Sequence, residues 1–190
     1  TNTNAFHVGG IVGKNGVNSN TVLNGVQVYD STNEGNISSY TETTEKAGGW
    51  LYVGGCFGSC YGGAETNDFK AWGKAGCYVD NCVNKGKVRA LGGAKYRAGG
   101  ITGLINRADI YNCTNEGTIT NERTPDNVED FFGGIVGYTE KTSYSYISNC
   151  TNSGVVAYLM PTLSGTGEKT VAENWHATIG GILGRAKDAY

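Results

Sequence analysis

Residues 98–119 read AGGITGLINRADIYNCTNEGTI, and residues 132–156 read FGGIVGYTEKTSYSYISNCTNSGVV. Both run through a double glycine, two mostly apolar residues, a glycine and a spacer, then Ile-x-Asn-Cys-Thr-Asn-x-Gly-x-Ile/Val. A phrase of this length written twice marks an internal repeat, and a repeat decides the architecture before any local propensity does.

Working outward, the double glycine recurs at Gly9-Gly10, Gly54-Gly55, Gly99-Gly100, Gly133-Gly134 and Gly180-Gly181, in steps of 45, 45, 34 and 47 residues. The second half of the phrase occurs as VYDSTNEGNI (28–37), VDNCVNKGKV (79–88), IYNCTNEGTI (110–119) and ISNCTNSGVV (147–156). Aligned, these give an apolar column (Val28, Val79, Ile110, Ile147), a small column (Ser31, Cys82, Cys113, Cys150) and an asparagine column (Asn33, Asn84, Asn115, Asn152). A glycine column (Gly35, Gly86, Gly117, Gly154) and a second apolar column (Ile37, Val88, Ile119, Val156) follow.

Apolar columns that return once per repeat can stack as ladders in a core. Small Ser or Cys side chains suit a crowded inner corner, and stacked asparagine amides can hydrogen-bond from one layer to the next. The glycine after each asparagine is expected to supply a positive φ, and the double glycine a corner or close approach. One unit is two or three short strands that cannot bury their own apolar face. Stacking on a neighbour at ~4.8 Å would bury it.

The expected fold is therefore all-β, a parallel β-solenoid (β-helix) of about four coils with inserted loops. It forms a single repeat domain over 1–190, with repeats starting near 9, 54, 99, 133 and 180 and an insertion at 59–77. A β-propeller has blades of similar length. Five double-glycine strands against four Asn-x-Gly turns favour an open stack, because a closed ring needs a matched complement.

Composition agrees with short strands and corners. Glycine is 31 of 190 residues, roughly twice the usual ~7 %, while proline is only 2. No helical periodicity stands out. The net charge of −2 offers no basic patch for nucleic acid. No apolar run approaches the ~18–20 residues of a membrane span, so membrane insertion by this segment is not expected.

GGIVGKNG at 9–16, with the Asn-x-Gly-x-Ile turn at 33–37, resembles the GLUG motif, a repeat of bacterial surface and secreted proteins. The resemblance extends from Val8 to about Gly184. It implies an extracellular, adhesin-like or other non-catalytic part with β-solenoid-like stacking, and it brings no catalytic residue or cofactor. The second copy departs from the motif, with Cys56 where the others have Ile and with the long insertion.

Cysteines Cys82, Cys113 and Cys150 share the column of Ser31 and read as small buried side chains. Cys60 and Cys77 flank the insertion and could close it with a disulfide. No CxxC or zinc spacing occurs. The two histidines, His7 and His176, have no motif partner, and Glu129-Asp130 is an adjacent pair that reads as a solvated loop. A polysaccharide-active β-helix enzyme stays an alternative by fold analogy alone.

For ligand binding, the residues just before each double glycine (Val8, Val53, Ala98, Phe132, Ile179) read as inward. Alternation then turns His7, Tyr52, Arg97, Phe131 and Thr178 outward, a row able to stack on sugars or peptides. Tyr61, Phe69 and Trp72 in the insertion, with Trp50 beside it, form a second candidate. Trp175 in the last loop is ambiguous. The expected function is a binding or adhesion module toward a glycan or a host or matrix protein, with a structural spacer as the other non-catalytic reading. Neither end carries a polar cap, so a segment of a longer protein is expected.

Overall fold

The structure is a computed structural model that describes residues 5–15, 26–41, 49–62, 77–92, 95–122, 129–140, 145–158 and 176–187. Within these residues every regular element is a β-strand, and each repeat lays down five. The first coil comprises β1 (Phe6–Gly9), β2 (Val12–Lys14), β3 (Gln27–Tyr29), β4 (Thr32–Asn33) and β5 (Ile37–Thr41). The second comprises β6 (Trp50–Gly54), β7 (Phe57–Tyr61), β8 (Cys77–Asp80), β9 (Val83–Asn84) and β10 (Val88–Gly92). The third is β11 (Lys95–Gly99), β12 (Thr102–Asn106), β13 (Ala108–Tyr111), β14 (Thr114–Asn115) and β15 (Ile119–Asn121). The fourth is β16 (Glu129–Gly133), β17 (Val136–Thr139), β18 (Tyr146–Ser148), β19 (Thr151–Asn152) and β20 (Val156–Tyr158). A further half-coil adds β21 (His176–Gly180) and β22 (Leu183–Ala186).

Like strands of successive coils pair in parallel. They make a first sheet β1-β6-β11-β16-β21, a second β2-β7-β12-β17-β22, a third β3-β8-β13-β18, a fourth β4-β9-β14-β19 and a fifth β5-β10-β15-β20. This is an open parallel β-solenoid. The register matches the sequence columns: Asn33, Asn84, Asn115 and Asn152 are successive partners, as are Val8, Val53, Ala98, Phe132 and Ile179.

The asparagines form a continuous ladder. Asn33 Nδ2 donates to Asn84 Oδ1 at 2.8 Å, Asn84 to Asn115 at 2.8 Å and Asn115 to Asn152 at 2.7 Å. The same nitrogens donate to the carbonyl two residues on, that of Gly35, Gly86, Gly117 and Gly154. Asn84 and Asn115 are fully buried, so each amide must find these partners within the protein.

The ladder also places the double glycine. A Cβ at Gly100 would lie 2.3 Å from Asn115 Cγ and 2.2 Å from Gly134 O. The wall of the coil thus folds inward at this corner until it touches the opposite wall. Two apolar cores result. One lies between the second and third sheets, where Phe57, Ile105 and Val136 meet Val79, Ile110 and Cys113. The other lies between the first and fifth, where Val53, Tyr96, Ala98 and Phe132 meet Val88, Ala90 and Ile119.

Two columns differ in physical detail from expectation. No glycine of the Asn-x-Gly column takes a left-handed φ. Its bare backbone is needed for clearance, since a Cβ on Gly117 would lie 2.0 Å from Gly86 O one coil below. The left-handed residues of this repeated turn are Asp30, Asn81, Asn112 and Asn149, with φ of 50–52°, and Asx tolerates that region best after glycine; Arg107, at 56°, lies outside it. The Ser/Cys column acts as a turn clasp rather than only a small filler. Ser31 Oγ donates to Tyr29 O at 2.8 Å, and the thiols of Cys82, Cys113 and Cys150 repeat that bond to Asp80, Tyr111 and Ser148 at 3.4, 3.1 and 3.2 Å.

Replacing Asn115 by Ala strands the buried groups on both sides of the ladder. It should lower the unfolding free energy by about 1–3 kcal/mol in urea titration, against less than about 0.5 kcal/mol for exposed Glu116→Ala.

Candidate functional site

Alternation in the first sheet does turn His7, Tyr52, Arg97 and Phe131 away from the core that holds Val53, Ala98 and Phe132. The side they face is not solvent, which corrects the expectation of an open row. Because the first and second sheets fold back from the glycine corner, their outer faces enclose a notch running along the stack. Across it stand Lys14, Ser59, Leu104, Tyr138 and Arg185, successive partners in the second sheet. Tyr52, Tyr61, Leu104, Phe131 and Tyr138 form a third buried cluster there, with Trp50 packed against it. Arg97 is only 7 % exposed and Phe131 1 %.

Arg97 is the centre of the notch. Its guanidinium lies 3.7 Å from the centroid of Tyr138, 3.9 Å from Trp50 and 5.3 Å from Tyr52. Its Nη1 donates to Tyr52 Oη at 3.4 Å, Nε has no hydrogen-bond partner, and no carboxylate among the described residues pairs with it. Burial pushes its pKa down, but an arginine keeps its charge. Aromatic faces therefore stand in for a counter-ion. The stack continues through Phe131 on Tyr138 (5.1 Å) and Arg185 over Phe131 (4.9 Å), with Arg185 paired to Glu129 at 3.3 Å. At the other end His7 stacks on Tyr52 at 4.9 Å, and its Nδ1 shares a 2.6 Å hydrogen bond with Ser59 Oγ. Burial, aided by Lys14, lowers the His7 pKa to about 4. Burial likewise raises the phenols of Tyr52 and Tyr61. The assembly holds two sheets together.

The remaining sequence candidates divide. Trp72, Phe69 and Trp175 lie outside the described residues. β7 runs to Tyr61 and β8 opens at Cys77, so both expected bounds of the insertion, 59 and 77, fall inside strands. Cys60 and Cys77 do meet, both fully buried with hydrogen-bonded thiols, but as free thiols like the other four cysteines. Glu129 and Asp130 lie in β16 rather than a solvated loop and diverge. Glu129 is exposed, while Asp130 is fully buried, accepting from Tyr96 N at 3.0 Å and Asn121 Nδ2 at 3.3 Å. Among the described residues no group of three or more His, Cys, Asp or Glu side chains could hold a metal ion.

A surface that the sequence reading passed over lies on the outer face of the third sheet. Tyr29, Asp80, Tyr111 and Ser148 make one file, and Gln27, Tyr78, Asp109 and Tyr146 the next. One tyrosine per coil results, staggered between the files; Tyr78, Tyr111 and Tyr146 are partly buried, and Asp109, between Tyr78 and Tyr146, is fully buried. Tyr29 is 45 % exposed, and its ring is 5.6 Å from that of Tyr78. The exposed left-handed residues Asp30, Asn81, Asn112 and Asn149 border the stripe. Asn81 Nδ2 donates to Asp30 Oδ1 at 2.7 Å, Asn112 to Asp80 at 3.0 Å and Asn149 to Tyr111 Oη at 2.9 Å. The signal was present as a tyrosine flanking each inward Val28, Val79, Ile110 and Ile147. It falls before that residue in two copies and after it in two, so no single column displays it.

No family model, curated protein or solved structure matches the chain.

Two outcomes test the notch. The folded pKa of His7 lies below its ordinary 6.5, so in the acid range the unfolded chain binds the proton that the folded one refuses. Stability should be full above pH ~6.5 and fall as pH drops toward ~4, and His7→Phe should remove this component in pH-resolved thermal melts. Arg97→Met should match or exceed wild-type stability, since the buried cation has no ion-pair partner among the described residues to strand. Arg97→Ala should cost roughly 2 kcal/mol or more through the void left between Trp50 and Tyr138.

Proposed function

We propose that this chain is a non-catalytic binding or adhesion module of a bacterial secreted or cell-surface protein. In this reading a glycan is taken on the outer face of the third sheet. The observation that carries it is the stripe of Tyr29, Tyr78, Tyr111 and Tyr146 bordered by exposed Asx side chains. Pyranose rings offer apolar C–H faces and a rim of hydroxyls. Tyrosine rings supply the apolar platform, and Asp or Asn side chains supply donors and acceptors beside it. Parallel strands repeat this pairing at ~4.8 Å per coil, which suits an extended chain ligand better than a compact one. The resemblance to GLUG repeats supports the same extracellular setting.

Screening the chain on glycan and matrix-protein arrays should give reproducible binding that the double change Tyr29→Ala and Tyr78→Ala weakens at least about tenfold, or ~1.4 kcal/mol. Arg97→Met should bind as wild type. No binding to either array would favour a spacer. Binding that survives loss of both tyrosines would move the site elsewhere.

A further inference from the structure

The notch between the first and second sheets holds a charge that its packing leaves unanswered. The Arg97 guanidinium lies against the rings of Tyr138 at 3.7 Å and Trp50 at 3.9 Å. The donors of a guanidinium point outward in its own plane, so rings over its faces satisfy none of them. Nη1 makes a long bond to Tyr52 Oη at 3.4 Å, and Nε is buried with no hydrogen-bond partner. A buried donor left unpaired costs stability, and a cationic one costs more. Packing alone would be served as well by an apolar side chain of similar length.

Two further cations stand over the same aromatic cluster. Lys95 Nζ is 5.2 Å from the centroid of Trp50, and Lys14 Nζ is 5.5 Å from that of Tyr61. Among the described residues neither is paired with a carboxylate. The Glu140 charge acts on Arg97 through space, but its Oε2 accepts from Asn106 Nδ2 at 3.1 Å and no described ion pair joins it to Arg97. Arg185 is already paired with Glu129. Lys14, Lys95 and Arg97 therefore outnumber Glu140 here, in a chain whose net charge is −2. Among rings, with less water than at an open surface, an anion is held more strongly than on an exposed lysine.

The notch is narrow rather than sealed. Tyr52, Arg97, Tyr61 and Tyr138 each keep 6–8 % of their surface exposed, and Trp50 and Lys95, which open β6 and β11, are partly exposed. The site lies inside the stack. Lys14 apart, its residues belong to β6, β7, β11 and β17, each paired with a strand on both sides.

The surroundings select among anions. The parallel N–H groups of Nε and Nη2 match the two oxygens of a carboxylate. Ring walls and the phenols of Tyr52 and Tyr61 suit a body with apolar C–H faces and a rim of hydroxyls, which is a sugar. Lys14 and Lys95 belong to the first and third coils, a separation of ~9.6 Å at ~4.8 Å per coil, so a chain with more than one carboxylate can use both.

We infer that this notch binds a uronic-acid residue of an acidic glycan, its carboxylate paired with Nε and Nη2 of Arg97 and flanked by Lys95 and Lys14. Entry moves the Trp50 and Lys95 side chains at the rim, and the sugar then rests against Trp50 and the tyrosines. The site is separate from the tyrosine stripe of the third sheet, and neither depends on the other.

The probe is a linear trimer of galacturonic acid, titrated calorimetrically against the full 190-residue chain at low salt. It should bind saturably at one site and shift the Arg97 Nε–H resonance. Arg97→Met should melt at or above wild type yet bind at least about tenfold more weakly, or ~1.4 kcal/mol. Arg97→Lys keeps the charge without the fork and should lose affinity to a similar degree. Lys95→Gln, at the partly exposed rim, should weaken binding about threefold, a readout that stands even if changes at 97 disturb folding. The double change Tyr29→Ala and Tyr78→Ala should leave this binding unchanged, which separates the notch from the stripe. Absent saturable binding, equal binding by the trimer with its carboxylates reduced to alcohols, or unchanged affinity in Arg97→Met and Lys95→Gln would each overturn the proposal. Equal competition by inorganic sulfate would reduce the site to an unselective anion trap, and tighter binding of an N-acetyl dipeptide carboxylate would make it a peptide site; either result also overturns it.

Discussion

A buried asparagine amide pressed against a glycine backbone, once per coil, is the contact from which the rest of the architecture follows. The amide sits where water cannot reach, so it must spend its donors inside the protein, and a buried polar group left unpaired costs more than a bonded one contributes. Asn84 and Asn115 meet this demand with one bond along the chain and one along the stack. The bond along the stack ties each coil to the next at a single register. A slip of one residue would turn every side chain to the opposite face and take the amide out of its ladder. Insertions of unequal length separate the corners in the sequence without interrupting this run of bonds.

The same contact shapes the cross-section. Glycine at the corner lets the wall approach the asparagines, and a Cβ there has no room beside Asn84, Asn115 or Asn152. The coil is thereby divided into two narrow cores, each thin enough for Val, Ile and Cys to fill. The division also creates an external notch where the first and second sheets turn their backs on each other. A notch lined only by aliphatic side chains would leave gaps around the splayed strands. Large planar groups fill it instead. Tyr138, Arg97 and Trp50 stack face to face at 3.7 and 3.9 Å, and the guanidinium works here as a flat, weakly hydrated plate rather than as half of an ion pair.

This arrangement separates what holds the stack together from what it presents. The aromatic and cationic row that alternation points away from the core is consumed by packing between sheets. On the outer side of the third sheet Tyr29 and the corner Asx residues are exposed and Tyr78, Tyr111 and Tyr146 partly so, while Asp109 between Tyr78 and Tyr146 is fully buried.

The period, the inward columns, the asparagine ladder and the parallel stack could all be read from the sequence. Each depends on a residue type meeting its own copy one repeat later, and such contacts leave a column in the alignment. The Ser/Cys clasp was half visible: its size was plain, and its hydrogen bond to the carbonyl two residues back was not. Other features needed the tertiary structure. Strand alternation assigns Tyr52, Arg97 and Phe131 to a face, but not what lies beyond that face. Glycine after the asparagine looks the same whether it serves φ or clearance, and only the 2.0 Å gap to the carbonyl below distinguishes them. The tyrosine stripe shifts between neighbouring files, so alignment scatters what three dimensions gather. Sequence thus determined the contacts between identical positions in adjacent coils. Contacts between different sheets of the same coil were decided by how far the glycine corner folds inward, a distance set by packing and written in no single column.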